Sequence, residues 1–579
     1  MRHTTHDPLW VYPRIDPIWH QAIVEEFHIH PVTAQILVAR GFTTLDEIHH
    51  YLYAKLPDLL DPYLFEDMDK AVTRILQALH LKEKILIYGD NDVDGITGTA
   101  LLTEFLDYIG ASVDFYIPNR TSLKQSLILD ALDYAAAASC SLLITVDCGI
   151  NSAQETAAAA KRHIDVIVTD HHEPTDKLPH CIATLNPKLK NSSYPNRDLT
   201  GVGVAFKLAH AITNQLIADG EMPPSKVDLK RYLDLVALGT VADMGALRGE
   251  NRILVRYGLK QLKKTRRIGL SKLFSISEIK TEITPMEISS KIAPRLNSLG
   301  RIDDPKKGVE LLLLRDPIEA EALAKDLDLN NIERQRIERR DSEEVEQLLS
   351  QSPEILKESA IILASDKWHP GIIAIIAARI AKQYNRPTII IAIEHGIGKG
   401  SARTIPEFPL LPIFRENSDL LLNFGGHDFA AGLTIKQEEI SKFKEKFLAA
   451  AADQLKALDL LTKLHLDAEV NFQDLTFDFM ESLSLLEPFG NENPAPVLYS
   501  RAMQTWSPKV VGKLHLKFYL EENERALEGI GFGMAHRRPE ICQPHLPLQL
   551  AFTPHINNFL NKSSIQLHIR DFQKPKTAD

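Results

Sequence analysis

Lys84-Ile-Leu-Ile-Tyr88-Gly-Asp90-Asn-Asp92-Val-Asp94-Gly95 joins two different things at a glycine. Its first half is an apolar run of strand length with no alternation, the pattern of a strand covered on both faces. Its second half sets carboxylates at every other position of a polar loop. The next residues, Gly98–Ile109, read as a helix, and Val113–Ile117 reads as a second strand. Working outward, Ser141–Val146 and Asp165–Thr169 are further strands, separated by the alanine-rich helix Ser152–Arg162. Strands alternating with helices predict an α/β fold with a parallel sheet, and ligands of such sheets sit at the carboxyl ends of the strands.

Those ends carry the chemistry. Asp90, Asp92 and Asp94 follow the first strand, and alternation would put them on one side of an extended segment, repelling unless a cation is present. A solvated acidic turn and a calcium loop compete with this reading, although an EF-hand loop lacks the buried strand before it and needs a glutamate at its twelfth position. The strand Leu142–Val146 ends in Asp147-Cys-Gly149, and Val166–Thr169 ends in Asp170-His171-His172-Glu173. Alone, Asp147 could be a helix cap and the paired histidines a surface loop. Three such ends in register on one rim make separate explanations unnecessary. Downstream, Asp243 closes the apolar helix Ala237–Ala242. Aspartates with imidazole suit Mn²⁺ or Mg²⁺ rather than thiolate-bound zinc, and the ligand count suffices for two ions. Two such ions clamp a phosphodiester and acidify water, so the expected reaction is phosphoester hydrolysis.

The remaining chain reads as a series of parts. Residues 1–75 are rich in proline, histidine and aromatics and read as a small helical cap, with 76–315 as the parallel-sheet domain. Residues 316–350 are highly charged, without glycine and with one proline, and read as a connecting helix. A second α/β domain follows over 351–463, with strands at Ala360–Ala364 and Thr388–Ile393 around a helix at Gly371–Gln383. Short strands then fill 464–579, as in a small antiparallel, OB-like β-barrel.

The 579 residues carry a net charge of −11, from 66 Lys+Arg and 77 Asp+Glu, which speaks against a general nucleic-acid coat protein. An enzyme needs only a local basic groove. The four cysteines (Cys140, Cys148, Cys181, Cys542) form no CxxC pair, which argues against a zinc site or a disulfide framework and fits a reducing compartment. The first ten residues lack an apolar signal core, and no apolar run approaches the roughly 18 residues of a membrane span. A soluble cytoplasmic protein, without a membrane partner, is expected.

The four motifs Asp90–Gly95, Val146–Gly149, Asp170–His172 and Val241–Asp243 resemble those of the DHH phosphoesterase superfamily. Leu199-Thr-Gly-Val-Gly-Val-Ala-Phe-Lys207, Pro294-Arg-Leu-Asn-Ser-Leu-Gly-Arg301 and Leu486-Glu-Pro-Phe-Gly490 are similar to the branch of that superfamily that degrades single-stranded DNA. So are Trp368–Gly371, Lys399–Thr404 and Gly425-Gly-His-Asp-Phe-Ala-Ala-Gly432, which resemble a DHHA1 domain. The resemblance runs from about residue 84 to the end of the chain. It implies a DHH domain joined by the long helix to a DHHA1 domain, with an OB-type barrel after them.

What the resemblance implies for the site is specific. Asp92 and Asp94 each serve one ion, Asp147 bridges both, and His171 and Asp243 complete the shell of the second ion. His172 meets the scissile phosphate, Asp90 is a supporting acid or outer ligand, and His427 approaches the substrate. Ser401 and Arg403, with Arg295, form a pocket for a 5′-terminal phosphate, since an Arg fork suits that anion. Asn297 and Arg301 belong to the same substrate-binding stretch. A surface ion pair for the arginines and a plain turn at Gly425–Gly426 are the alternatives.

The implied activity is 5′→3′ degradation of single-stranded DNA to mononucleotides in repair and recombination, in a cleft too narrow for duplex. The barrel would guide the strand by stacking and charge, with Lys509, Lys513, Lys517, Phe518, Tyr519, Arg537 and Arg538 near it. Implied partners are single-stranded DNA, the single-strand-binding protein and a RecQ-type helicase. The competing function is a phosphodiesterase for short oligoribonucleotides or cyclic dinucleotides, whose relatives are usually shorter and lack the barrel. A non-catalytic strand binder is disfavoured, because the acidic ligands are all present. Three places depart from the family pattern: Thr121–Ser126, Lys399–Thr404 and Asn491–Asn493. None removes a ligand.

Overall fold

Lys84–Gly89 (β1) is buried along almost its whole length because its neighbours and the helices on either face leave it no solvent. The computed structural model describes residues 8–119, 127–279, 283–457, 459–542, 545–559 and 562–574. The departure at Thr121–Ser126 therefore lies outside the described residues. Five strands form the first sheet: β1, Ser112–Tyr116 (β2), Cys140–Val146 (β3), Asp165–Thr169 (β4) and Ala183–Leu185 (β5). Their order is β2-β1-β3-β4-β5, and every pair is parallel. The order reverses direction between β1 and β3, and crevices at such switch points are where doubly wound sheets bind ligands. β5 escapes a sequence reading because three residues carry too little pattern.

The helix Val93–Ile109 (α1) begins five residues before the expected Gly98. The cause is Asp92, whose carboxylate accepts from the Asp94 and Gly95 amides at 3.0 and 3.1 Å and so caps the helix. α1 is buried on nearly all sides, against Gly201–Ala218 (α2) and Leu233–Ala242 (α3), as expected of a helix apolar all round. Gly98 has no room for a side chain: a Cβ there would lie 2.5 Å from Val146.

The expected connector is one helix, Pro317–Gln351 (α4). The boundary between two compact units falls inside it. One unit is Tyr53–Arg334 with Glu487–Pro494, and the other is Met1–Leu52 with Gln335–Leu486 and Ala495–Asp579. In the stretch read as a helical cap, helices Pro17–Phe27 and Pro31–Ala39 are accompanied by a strand, Leu9–Val11, which pairs in parallel with Lys463–His465.

The second unit holds a mixed sheet of Ile361–Ser365 (β6), Thr388–Glu394 (β7), Ile397–Arg403 (β8), Leu421–Gly426 (β9) and Ala430–Lys436 (β10). Only β6 and β7 are parallel. It also holds the barrel. Leu498–Gln504, His515–Glu522, Arg525–Gly531, Leu546–Phe559 and Lys562–Gln573 close through the pairs Met503–Glu521 and Gln504–Leu520. Two pairings, Arg525–Gly531 with Lys562–Gln573 and Ala468–Glu469 with Leu498–Gln504, are parallel where an all-antiparallel barrel was expected. Among the described residues, no helix is long and apolar enough to cross a membrane.

Candidate metal centre

The loop after β1 is not the extended segment that alternation suggests. Asp90 continues the strand pairing, its amide donating to the Val146 carbonyl at 3.1 Å. Asp92 is the cap of α1, and Asp94 already lies in its first turn. The Asp94 side chain is buried and accepts from the Gly201 amide at 2.7 Å and the Val202 amide at 2.9 Å, the open N-terminus of α2. Burial first, and then the charges of Asp243 and Asp92, raise its pKa well above the usual carboxylate range, against the pull of those two amides.

Asp147 follows β3 with φ 62°, a left-handed conformation that an aspartate tolerates better than most residues. It is also buried, and burial together with Asp94, Asp92, Asp243 and Asp90 raises its pKa well above the normal value. Its Oδ1 has no hydrogen-bond partner and lies 2.9 Å from His171 Nε2. The same imidazole nitrogen lies 3.7 Å from Asp243 Oδ2 and 3.9 Å from Asp94 Oδ2. Asp243 ends α3, as the sequence suggests, and burial with the Asp92 charge pushes it up to about 7. Gly201 is required by this packing, since a Cβ there would lie 2.6 Å from the Asp147 Cβ.

The two histidines divide their work. Asp170 is buried, and its carboxylate accepts from the amides of Ile150 (2.9 Å), His171 (2.7 Å) and His172 (3.0 Å) and from His172 Nδ1 (2.8 Å). Burial opposes the charge on His172, but this bond and the Asp170 carboxylate outweigh it and raise the imidazole to about 9. Asp170 was quoted in its motif but given no role by the sequence. Asn186, also missed, donates to the His172 carbonyl at 2.9 Å.

Three sets of ligand atoms each lie within 4.8 Å: Asp90/Asp92/Asp147, Asp94/His171/Asp243 and Asp147/His171/His172. Divalent manganese or magnesium fits them. Two bonds of about 2.1 Å at a right angle put their donor atoms about 3.0 Å apart, close to the spacing of Asp147 and His171. Asp147 Oδ1 is buried there without a hydrogen-bond donor, which is costly unless a cation meets it. Cys148 is no ligand, for its Sγ faces the carbonyls of Val146 and Tyr88 at 3.4 and 3.9 Å.

The expected substrate residues are spread over both units. Asn297 Oδ1 accepts from the Val93 amide at 3.2 Å, so it supports the acid loop. Arg295 is held by Asp328 at 2.9 Å and by the Lys291 carbonyl at 2.6 Å, and Arg301 lies in the last turn of Ala293–Ile302. In the other unit Ser401 and Arg403 are together on β8, with Arg403 Nη1 donating to Ser401 Oγ at 3.2 Å. Arg403 has no carboxylate partner among the described residues, and burial lowers its pKa. His427 is exposed in the turn between β9 and β10.

On the barrel, Phe518 belongs to the core, Arg537 is engaged by Asp571 and Glu540, and Lys517 by Glu528. Tyr519 is exposed. It neighbours Trp506, 71% exposed and absent from the sequence reading, at 6.4 Å between ring centres.

Asp170, tying one histidine down while the other joins the acids, gives the Asp-His-His triplet a structural meaning. Residues 84–240 match the DHH family N-terminal domain, 357–457 the DHHA1 domain and 466–571 the RecJ OB domain. Fold and site together define a DHH-type phosphoesterase.

The chain is 36% identical over 567 residues to the single-stranded-DNA-specific exonuclease RecJ of Bacillus subtilis, covering 97% of this chain and 70% of that protein. It is 33% identical to the Haemophilus influenzae protein of the same name, covering 94% and 96%. The crystal structure of Thermus thermophilus RecJ in complex with Mn²⁺ superposes with a TM-score of 0.83 at 28% identity, over 98% of this chain and 80% of that one. Its Mg²⁺ complex gives 0.75 at 27% identity, over 98% and 79%. The chain belongs to the RecJ family.

Proposed function

We propose that this chain hydrolyses single-stranded DNA from its 5′ end to mononucleotides, using two Mn²⁺ or Mg²⁺ ions. The observation that carries the reading is the convergence of Asp92, Asp94, Asp147, His171 and Asp243, from four separate stretches, on one strand-end rim. Asp92 would hold one ion and Asp94, His171 and Asp243 the other, with Asp147 shared and Asp90 beside the first. When bound, the ions supply neutralisation of the phosphate charge and a water of lowered pKa.

The chain's own residues do the rest. His172, kept charged by Asp170, donates from its exposed edge to a non-bridging phosphate oxygen. Asp170 fixes the ring so that Nε2 points outward. Ser401 and the uncompensated Arg403 bind the 5′-phosphate, and Trp506 and Tyr519 offer faces for bases. The barrel favours a polymeric strand over a short oligoribonucleotide or cyclic dinucleotide, which needs no such extended surface. The free thiols suit a cytoplasmic enzyme. Single-strand-binding protein and a RecQ-type helicase are the partners that would expose its substrate.

Purified protein with Mn²⁺ should release mononucleotides from 5′-phosphorylated single strands and spare duplex. Asp147→Ala should abolish release and keep strand binding, measured by gel shift. A folded sample without release refutes the activity. Retained activity in the variant refutes the site.

A further inference from the structure

The helix α1 carries the acid loop at its first turn, and at 1.5 Å per residue its last turns lie about 20 Å away, at the opposite rim of the sheet. There a cavity of about 1070 Å³ opens between the end of α1, the start of β2 and the segment 261–268. Its floor is fixed. Arg267, nearly buried, pairs with Glu104 at 2.5 Å and Asp234 at 3.1 Å, and Arg231 pairs with Glu104 at 2.8 Å. Those charges cancel one another.

Three cations at the mouth are different. Lys264, Arg266 and Arg315 line the cavity, and none has a carboxylate partner among the described residues. Asp107 and Asp228 also line it, so the three cations face two carboxylates, one of which accepts from the Lys230 amide at 3.1 Å. Two further residues belong to the lining. Tyr108 is 40% exposed, with the Arg231 guanidinium 5.5 Å from its ring centre. The Thr103 hydroxyl is buried without a hydrogen-bond partner. The protein is acidic overall, at −11, whereas this lining carries five cations, counting Arg231 and Arg267, against four carboxylates, counting Glu104 and Asp234.

We infer that this cavity is a second binding site, separate from the metal centre, that takes a nucleoside phosphate. The cations at the mouth hold the phosphate, as guanidinium forks do. The base lies against the Tyr108–Arg231 platform, since aromatic and guanidinium planes both stack on bases. The volume lies just above the range of ligand pockets, about 300–1,000 Å³, so a nucleoside phosphate fits with room to spare. The inference does not depend on the strand-degrading activity, because the two sites share no residue.

The test is calorimetric titration of the full-length, Mn²⁺-loaded protein with dAMP, repeated with inorganic phosphate as ligand. One dAMP should bind per chain, at least tenfold more tightly than phosphate. The double variant Arg266→Ala/Arg315→Ala, altered only at exposed positions, should weaken it at least tenfold, and Asp147→Asn should leave it unchanged. The inference is overturned by no dAMP binding, by dAMP binding that the double variant retains, or by binding that disappears in Asp147→Asn and so belongs to the metal centre. Phosphate binding as tightly as dAMP also overturns it, by reducing the cavity to an anion cradle.

Discussion

Gly201 shows how narrowly the centre is built at the scale of one residue. Its amide binds Asp94 on one side, while the missing side chain leaves room for Asp147 on the other. Alanine here improves helix propensity by up to about 1 kcal/mol. It also forces the new Cβ to 2.6 Å from the Asp147 Cβ, so Asp147 must move. Gly201→Ala should leave the far-ultraviolet circular dichroism unchanged and lower Mn²⁺-dependent turnover on the order of 100-fold, the effect of roughly 1 Å misplacement. Turnover near wild type would mean that Asp147 is not held by contact with α2. Asp90 and Asp147 were readable before the fold because each follows a strand, and Asp243 because it closes an apolar helix. The grip of α2 on Asp94 was not, since it joins residues 107 and 108 positions apart and nothing local marks it. Asp170 was visible in its triplet, but only the geometry shows it accepting from four donors.

Whole elements were legible where a pattern ran long enough. β1, β3 and β4 carry unbroken apolar runs, and the charged helix α4 was found within a residue of its bounds. β5, at three residues, was not, and a cap rather than periodicity decides where α1 starts. The helix α2 hides a further device. Lys207 is wholly buried, pairs with Glu250 at 2.5 Å and donates to the Leu60 carbonyl at 2.6 Å; Tyr194 also bonds Glu250, and the Leu60 amide reaches it at 2.9 Å. This network fastens α2 to the segment before β1 and to the helix Gly249–Leu262. Removing one partner leaves a buried charge uncompensated, at about 3–5 kcal/mol. Lys207→Met should therefore lower the urea midpoint by that equivalent with an unchanged slope. A loss below about 1 kcal/mol would show that water replaces the ammonium.

For the molecule as a whole, the metal centre is a stability cost carried for function. Asp94 and Asp147 are buried carboxylates whose pKa values burial and mutual repulsion raise, and Asp243 is pushed up to about 7. A carboxyl whose pKa is higher folded than unfolded holds its proton better in the native state. Its unfavourable charge is absent below the unfolded value of about 4 and grows as pH rises through the folded one. Without ions, the protein carries that penalty at neutral pH. Asparagine removes one charge, keeps nearly the same shape and tolerates the left-handed backbone at position 147. In EDTA at pH 7, Asp147→Asn should thus be more stable than wild type in urea, with the difference shrinking as pH falls toward 4. Adding Mn²⁺ should invert the order. A ligand at 100 times its Kd stabilises the native state by about 2.7 kcal/mol per site, a gain the variant largely forgoes. If the variant is instead the weaker protein in EDTA at neutral pH, the acids are not held together against their own repulsion, and the centre does not require a cation.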